Sequence, residues 1–268
     1  MDDAHRPALT QLLAQARYTH LVFSRIPFNR RLALALSLVG AFWVAACAPL
    51  SPVPDQTGEQ PPAPTLPAME WPAGDVYAID AARSEFRVEL TAEGPLARFG
   101  HPHVIGTQQI SGQVVVADPW PQTAFELGFL VDDLRVDPPA WRAQAGLEPN
   151  IPQSDIDATE INMRSPTQLN AEIHPEVVLQ SRSITGTRHE PTVEVDVAIA
   201  GHISRQTLPV KVHWGEDELI VSGQTTWQLS ALGIEPFSVF GGGLRVGDEI
   251  TLSVRLYAVA GSDQSMGD

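Results

Sequence analysis

From Glu85 to Leu256 the chain repeatedly alternates one apolar residue with one polar or small residue, which restricts it to half-buried antiparallel strands. Phe86, Val88 and Leu90 alternate with Glu85, Arg87 and Glu89. Phe125, Leu127, Phe129 and Val131 alternate with Glu126 and Gly128. Val193, Val195, Val197 and Ile199 alternate with Glu194, Asp196 and Ala198. Val210 and Val212 flank Lys211, and Leu252, Val254 and Leu256 flank Ser253 and Arg255. Successive strand side chains point to opposite faces, so each segment carries one apolar face and one wet face.

Further strands are expected over Ile110 to Val116, Glu176 to Ile184, Leu219 to Leu229 and the short Tyr77 to Asp80, eight or nine in all. Only Asp137 to Leu169 breaks the alternation. It holds Pro138, Pro139, Pro149 and Pro152, so its helices are expected to be short, with Ser154 as the cap of one over Ser154 to Met163. No repeat of solenoid or propeller period is present. Many strands of even spacing with little helix predict an all-β sandwich or closed barrel. A barrel of about eight strands has an interior just wide enough for one small ligand or for packed side chains.

Residues Leu32 to Cys47 read as a secretory signal. The run carries no charge, follows Arg30 and Arg31, and ends in small residues. It is shorter than the roughly 20 apolar residues that a membrane-spanning helix needs. Val44-Ala45-Ala46-Cys47 resembles the lipobox of bacterial lipoproteins, in which the cysteine is acylated and becomes the new N-terminus. Cys47 is the only cysteine, so it has no partner for an internal disulfide. An acyl cysteine carries more than one chain, enough for stable anchoring. Ala48 after the cysteine implies, by the lipoprotein sorting rule, the outer membrane, with the domain facing the periplasm of the cell envelope. Residues 1–46 are therefore expected to form the signal region, with a basic leader so long that the start is expected to be set too far upstream.

Eight prolines between Ala48 and Asp75 favour extended polyproline structure, so residues 47–75 read as a lipidated cysteine and a semi-rigid tether. Residues 76–261 form the expected domain, long enough to bury a sizeable core, and 262–268 a frayed tail. The chain has 17 basic and 32 acidic residues, net −15. Residues 1–46 hold five Arg and two Asp; without them 12 basic and 30 acidic residues remain, net −18. Such a field repels nucleic acid and anionic head groups, so membrane attachment must come from the acyl anchor.

Signatures of enzymatic chemistry are missing. There is no phosphate loop, no Gly-x-Ser-x-Gly and no His-Glu-x-x-His, and the single thiol is assigned to the anchor. Gly241-Gly242-Gly243 reads as a turn between strands. His101 and His103 are two apart on an extended segment and can share a metal with His174, His202 or His213. Two ligands make a weak site, so no metal or other cofactor is required by this reading. Asp132, Asp133 and Asp137, like Asp155, Asp157 and Glu160, lack calcium-loop spacing and read as acidic surface loops. Trp120, Trp141, Trp214 and Trp227 read as core or barrel-rim packing, or as cavity lining.

Six segments stand in order along the domain: Tyr77-Ala78-Ile79-Asp80 with Ser84-Glu85-Phe86; Gly100-His101-Pro102-His103; Leu169 to Glu176 with Gln180-Ser181; Gly201 through Leu208-Pro209-Val210; Leu229 to Ser238; and Val246-Gly247-Asp248-Glu249-Ile250. Together they resemble the YceI-like family of secreted lipid- or polyisoprenoid-binding domains. His174 stands where the family has tyrosine or phenylalanine, Leu232 replaces a phenylalanine, and the family's Arg-Asp-x-His-Leu element is replaced by Ser154 to Met163. The resemblance implies an antiparallel, lipocalin-like barrel that holds a long apolar ligand and does no chemistry. Phe86, Phe125, Phe129, Val195 and Leu256 are then the expected inward, cavity-lining residues. The alternative function is a metal-binding or redox-accessory envelope protein using His101 and His103.

Overall fold

The alternating segments are antiparallel strands wrapped into a ring. The computed structural model describes residues 64–261. Along them run β1 (Gly74–Ile79), β2 (Glu85–Glu93), β3 (His103–Thr107), β4 (Ser111–Ala117), β5 (Ala124–Leu130) and β6 (Arg135–Val136). Two helices follow, α1 (Pro139–Gln144) and α2 (Gln153–Arg164). Then come β7 (Glu176–Gly186), β8 (Pro191–Ile199), β9 (His202–Trp214), β10 (Glu218–Gln228), β11 (Ser238–Val239) and β12 (Leu244–Ala260). The signal region, Cys47 and most of the tether lie outside the described residues, as does the 262–268 tail.

Eight strands close the barrel in the order β1-β4-β5-β7-β8-β9-β10-β12, with β12 pairing back onto β1. The fold is thus a closed, eight-strand antiparallel barrel, as the family resemblance implies; the alternation left a sandwich open beside it. The extra strands prolong its first staves. β2 continues β1 along β12, β3 pairs with β2 as β4 pairs with β1, and β6 pairs with β3 as β5 pairs with β4. At this end β6 pairs with β3 alone and leaves the ring unclosed toward β7. Helix α2 packs against β6 there.

The break between β1 and β2 has a local cause. Between β1 and β2 the chain bulges over Asp80 to Ser84, which would strip β12 of partners at Tyr257. The Asp80 N–H donates to the Tyr257 carbonyl at 2.8 Å, and the Tyr257 N–H donates to Ser84 Oγ at 3.0 Å. Ser84 is fully buried, so its hydroxyl stands in for a missing backbone carbonyl. The β8–β9 connection is a two-residue turn with Ala200 at φ 51° and Gly201 at φ 78°. Positive φ at both positions is the type I′ geometry whose twist matches a hairpin.

The core is the barrel interior. Val131, Val195 and Leu252 have almost no exposed surface. Trp141 and Trp227 are buried, and the Trp227 indole N–H donates to the Thr207 carbonyl at 2.9 Å. On the outer face a register shift at Arg182 turns its guanidinium onto Asp196, which Arg205 also binds at 2.9 Å. Burial of Asp196 opposes its charge, but the hydrogen bonds from Arg205 and Arg182 outweigh it and lower its pKa.

Two expectations for the irregular segment need correction. Ser154 does not cap α2; the helix begins one residue earlier, and the Pro152 carbonyl accepts from the N–H groups of Asp155 and Ile156. Proline before the first turn supplies that carbonyl in extended geometry, while Ser154 Oγ contacts Asp155 Oδ1 at 3.3 Å. Asp137 is not part of an acidic surface loop. It is 1% exposed. Gly241 to Gly243 do lie in the turn between β11 and β12.

Candidate functional site: a two-chambered apolar interior

Alternation places one face of every stave inside the barrel, and the interior is not filled. An upper chamber of about 280 Å³ lies at the end where β6 leaves the ring and α2 packs. That size is near the lower end of the ~300–1,000 Å³ of small-molecule sites. Its walls come from Val88 and Leu90 of β2, Ile105 of β3, Met163 of α2, Val177 of β7 and Trp227 of β10. A lower chamber of about 90 Å³ lies deeper, lined by apolar side chains that include Val116, Val193, Val212 and Leu219.

Phe86, Phe129, Leu179 and Leu252 line both chambers and form the waist between them. Phe125, Val195 and Leu256 line the lower chamber. All five residues singled out from the alternation therefore face the interior. Helix α2, over the Ser154 to Met163 segment expected to close one end of the barrel, walls the upper chamber; the wall from the Leu229 to Ile234 turn was not foreseen, because that turn does not alternate.

The lower chamber ends on an aromatic floor. Trp120 and Trp214 meet edge to face with ring centroids 5.5 Å apart. Trp120 Nε1 is the one buried side-chain polar atom without a hydrogen bond among the described residues. The Trp214 indole N–H donates to the Arg188 carbonyl at 3.1 Å, and the Arg188 guanidinium stacks over the same ring at 3.9 Å.

His101 and His103 both line the upper chamber, but each is engaged by a different carboxylate. His101 Nε2 lies 3.3 Å from Asp155 of α2, with both side chains well exposed. His103 Nδ1 lies 2.5 Å from Asp137 Oδ2. Among the described residues no three His, Cys, Asp or Glu side chains form a group able to hold a metal ion. His174 instead packs against Gly201, and His202 against Gly233, where a Cβ on either glycine would lie within 2.5 Å of an imidazole atom.

Asp137 is the residue the sequence reading missed. Its Oδ1 accepts from the Val104 N–H at 2.9 Å and from Arg142 at 2.7 Å. Arg142, 2% exposed, also donates to the carbonyls of Glu148 at 2.6 Å and Pro102 at 2.7 Å. Burial raises the pKa of Asp137, but His103, the Val104 N–H and Arg142 together bring it below the usual carboxylate value. The available signal was Asp137-Pro138-Pro139 followed by Arg142, a turn that folds a cation back over the acid.

The family model of the YceI-like domain matches residues 77–258, and the chain belongs to that family. Among solved structures, Burkholderia cenocepacia BcnA aligns with a TM-score of 0.52 at 15% identity, over 68% of this chain and 99% of that one. The Campylobacter jejuni YCEI protein aligns with a TM-score of 0.44 at 8% identity, over 59% and 85% of the two chains. The BcnA likeness concerns the fold. No curated protein matches the sequence.

Proposed function

We propose that this protein is a non-enzymatic carrier that holds a long-chain apolar ligand, of polyisoprenoid or other lipid-like chemistry, along the barrel axis. The observation that carries the reading is the continuity of apolar wall from the upper chamber past the waist into the lower one. An extended hydrocarbon entering there leaves water without stripping many polar groups of theirs. The reading requires no metal or other cofactor. The signal at 32–47 and acylation of Cys47 would place the carrier in the cell envelope, at the outer membrane and facing the periplasm. The proline-rich tether would set the barrel off from the bilayer.

The test is native mass spectrometry and organic extraction of the full-length protein purified from its own cell envelope. A stoichiometric apolar compound of a few hundred daltons or more is the expected result. Repeated recovery of ligand-free protein that takes up no added long-chain isoprenoid would overturn the proposal.

A further inference from the structure

The walls of the upper chamber are mostly apolar, and its polar side chains come chiefly from the mouth: Thr91, His101, His103, Thr159, Asn162 and Gln168. We infer that the mouth is a head-group subsite, built by His103 and Asn162, for an amphiphile with a neutral, hydroxyl-bearing head. This rests on the carrier reading and adds the chemistry of the ligand's polar end.

His103 and Ile105 are alternate residues of β3, and both line the chamber, whereas Val104 between them is fully buried on the opposite face. The His103 ring is fixed through one nitrogen. Asp137 Oδ2 takes His103 Nδ1, while the Val104 N–H and Arg142 take Oδ1. An ionised carboxylate only accepts, so Nδ1 carries a proton. A flipped ring would present carbon to the carboxylate. The other nitrogen, Nε2, makes no hydrogen bond among the described residues, on a side chain that lines the cavity. This resembles the second-sphere logic by which a carboxylate sets the tautomer and aim of a working imidazole.

Asn162 belongs to α2. Asp155, Thr159 and Asn162 recur at helical spacing and share one face of the helix. Asp155 contacts His101 at 3.3 Å, and the Thr159 hydroxyl donates to the Asp155 carbonyl at 2.8 Å. The Asn162 amide is half-buried, lines the chamber and makes no side-chain hydrogen bond among the described residues. Two unspent polar groups thus face one mouth, from β3 and from α2.

Their chemistry selects the head. Nε2 accepts when the ring is neutral and donates when it is charged, and the amide does both. A hydroxyl satisfies either state because it also does both. An anionic head is poorly served. Among the described residues lining the chamber the single Lys or Arg is Arg245, and Glu93 holds it at 3.0 Å. Arg142 is spent on Asp137 and two carbonyls.

The experiment compares 1-dodecanol with its methyl ether on the delipidated full chain, with His103→Phe and Asn162→Leu variants. The expected result is that wild type prefers the alcohol about tenfold, the worth of one buried hydrogen bond. His103→Phe brings the ratio near one, and Asn162→Leu lowers it. Equal affinity for both probes in wild type overturns the subsite while leaving the carrier standing. Failure of both probes to bind overturns the subsite; the same protein then taking up a long-chain isoprenoid leaves the carrier standing, and its failing to do so overturns the carrier as well. Should His103→Phe not fold, the ¹⁵N resonance of His103 Nε2 in wild type decides. A shift with the alcohol and none with the ether supports the subsite, and no shift with either overturns it.

Discussion

The rings of Phe86 and Phe129 meet inside the barrel with centroids 5.0 Å apart and planes tilted by 42°. They come from β2 and β5, and both side chains face both chambers. The contact lies where the two chambers adjoin, so under the carrier reading it bears on how far a chain entering the upper chamber would reach. A tilted aromatic pair is worth about 0.5–1.5 kcal/mol beyond its buried area, little enough for a long apolar ligand to part the rings.

Replacing Phe129 with alanine should join the chambers. Phe129 is 7% exposed, and truncating a buried phenylalanine costs about 3–5 kcal/mol in lost transfer and cavity energy. Urea denaturation should register that loss. In the same variant, competition among straight-chain alcohols should shift the preferred length upward. An unchanged length preference would show that the waist does not limit depth.

Asp137 should be among the most sensitive polar positions in the molecule. Asp137→Ala leaves Arg142, 2% exposed, as an uncompensated buried cation and frees the His103 ring. Breaking a buried pair by removing one partner costs about 3–5 kcal/mol. The variant should unfold at a clearly lower urea concentration than a surface control such as Asp133→Ala. Equal midpoints would place the cluster outside the stability of the fold.

Asp137 and Asp196 both have lowered pKa values in the folded state. A carboxylate whose folded pKa lies below its unfolded value of about 3.9 contributes stability above that value. The contribution disappears as pH falls through the folded pKa. Stability should therefore be flat from pH 7 to about 5 and fall steeply below about 4. Guanidinium melts at stepped pH check this, and in the double variant Asp137→Asn, Asp196→Asn the acid slope should be shallower than in wild type.

What the sequence could reveal tracks what depends on local pattern. The inward positions of Phe86, Phe125, Phe129, Val195 and Leu256 follow from alternation, because a strand's parity decides its face. Closure into a barrel came from the family resemblance, since alternation fits the strands of a sandwich equally well. The role of Asp137 was not, because its partners lie 34 residues back at His103 and five ahead at Arg142, and a charge count sees only an acid beside Asp132 and Asp133. That the Ser154 to Met163 segment closes one end was within reach of the family resemblance, but which of its residues line the chamber was not. Its chamber-facing Thr159, Asn162 and Met163 mix polar and apolar residues, so helical periodicity does not mark that face as lining.

The break between β1 and β2 yields the last prediction. Ser84 is fully buried, and its Oγ accepts the Tyr257 N–H at 3.0 Å where the β1–β12 ladder is interrupted. Ser84→Ala removes the acceptor but not the bulge, so the Tyr257 N–H loses its partner inside the sheet. An orphaned buried donor costs about 1–3 kcal/mol. Hydrogen exchange should show the Tyr257 amide losing protection, while the Leu252 amide, within the continuous β2–β12 ladder, changes only as far as global stability falls. If both amides lose protection equally, the hydroxyl supports the barrel as a whole and not the junction between its staves.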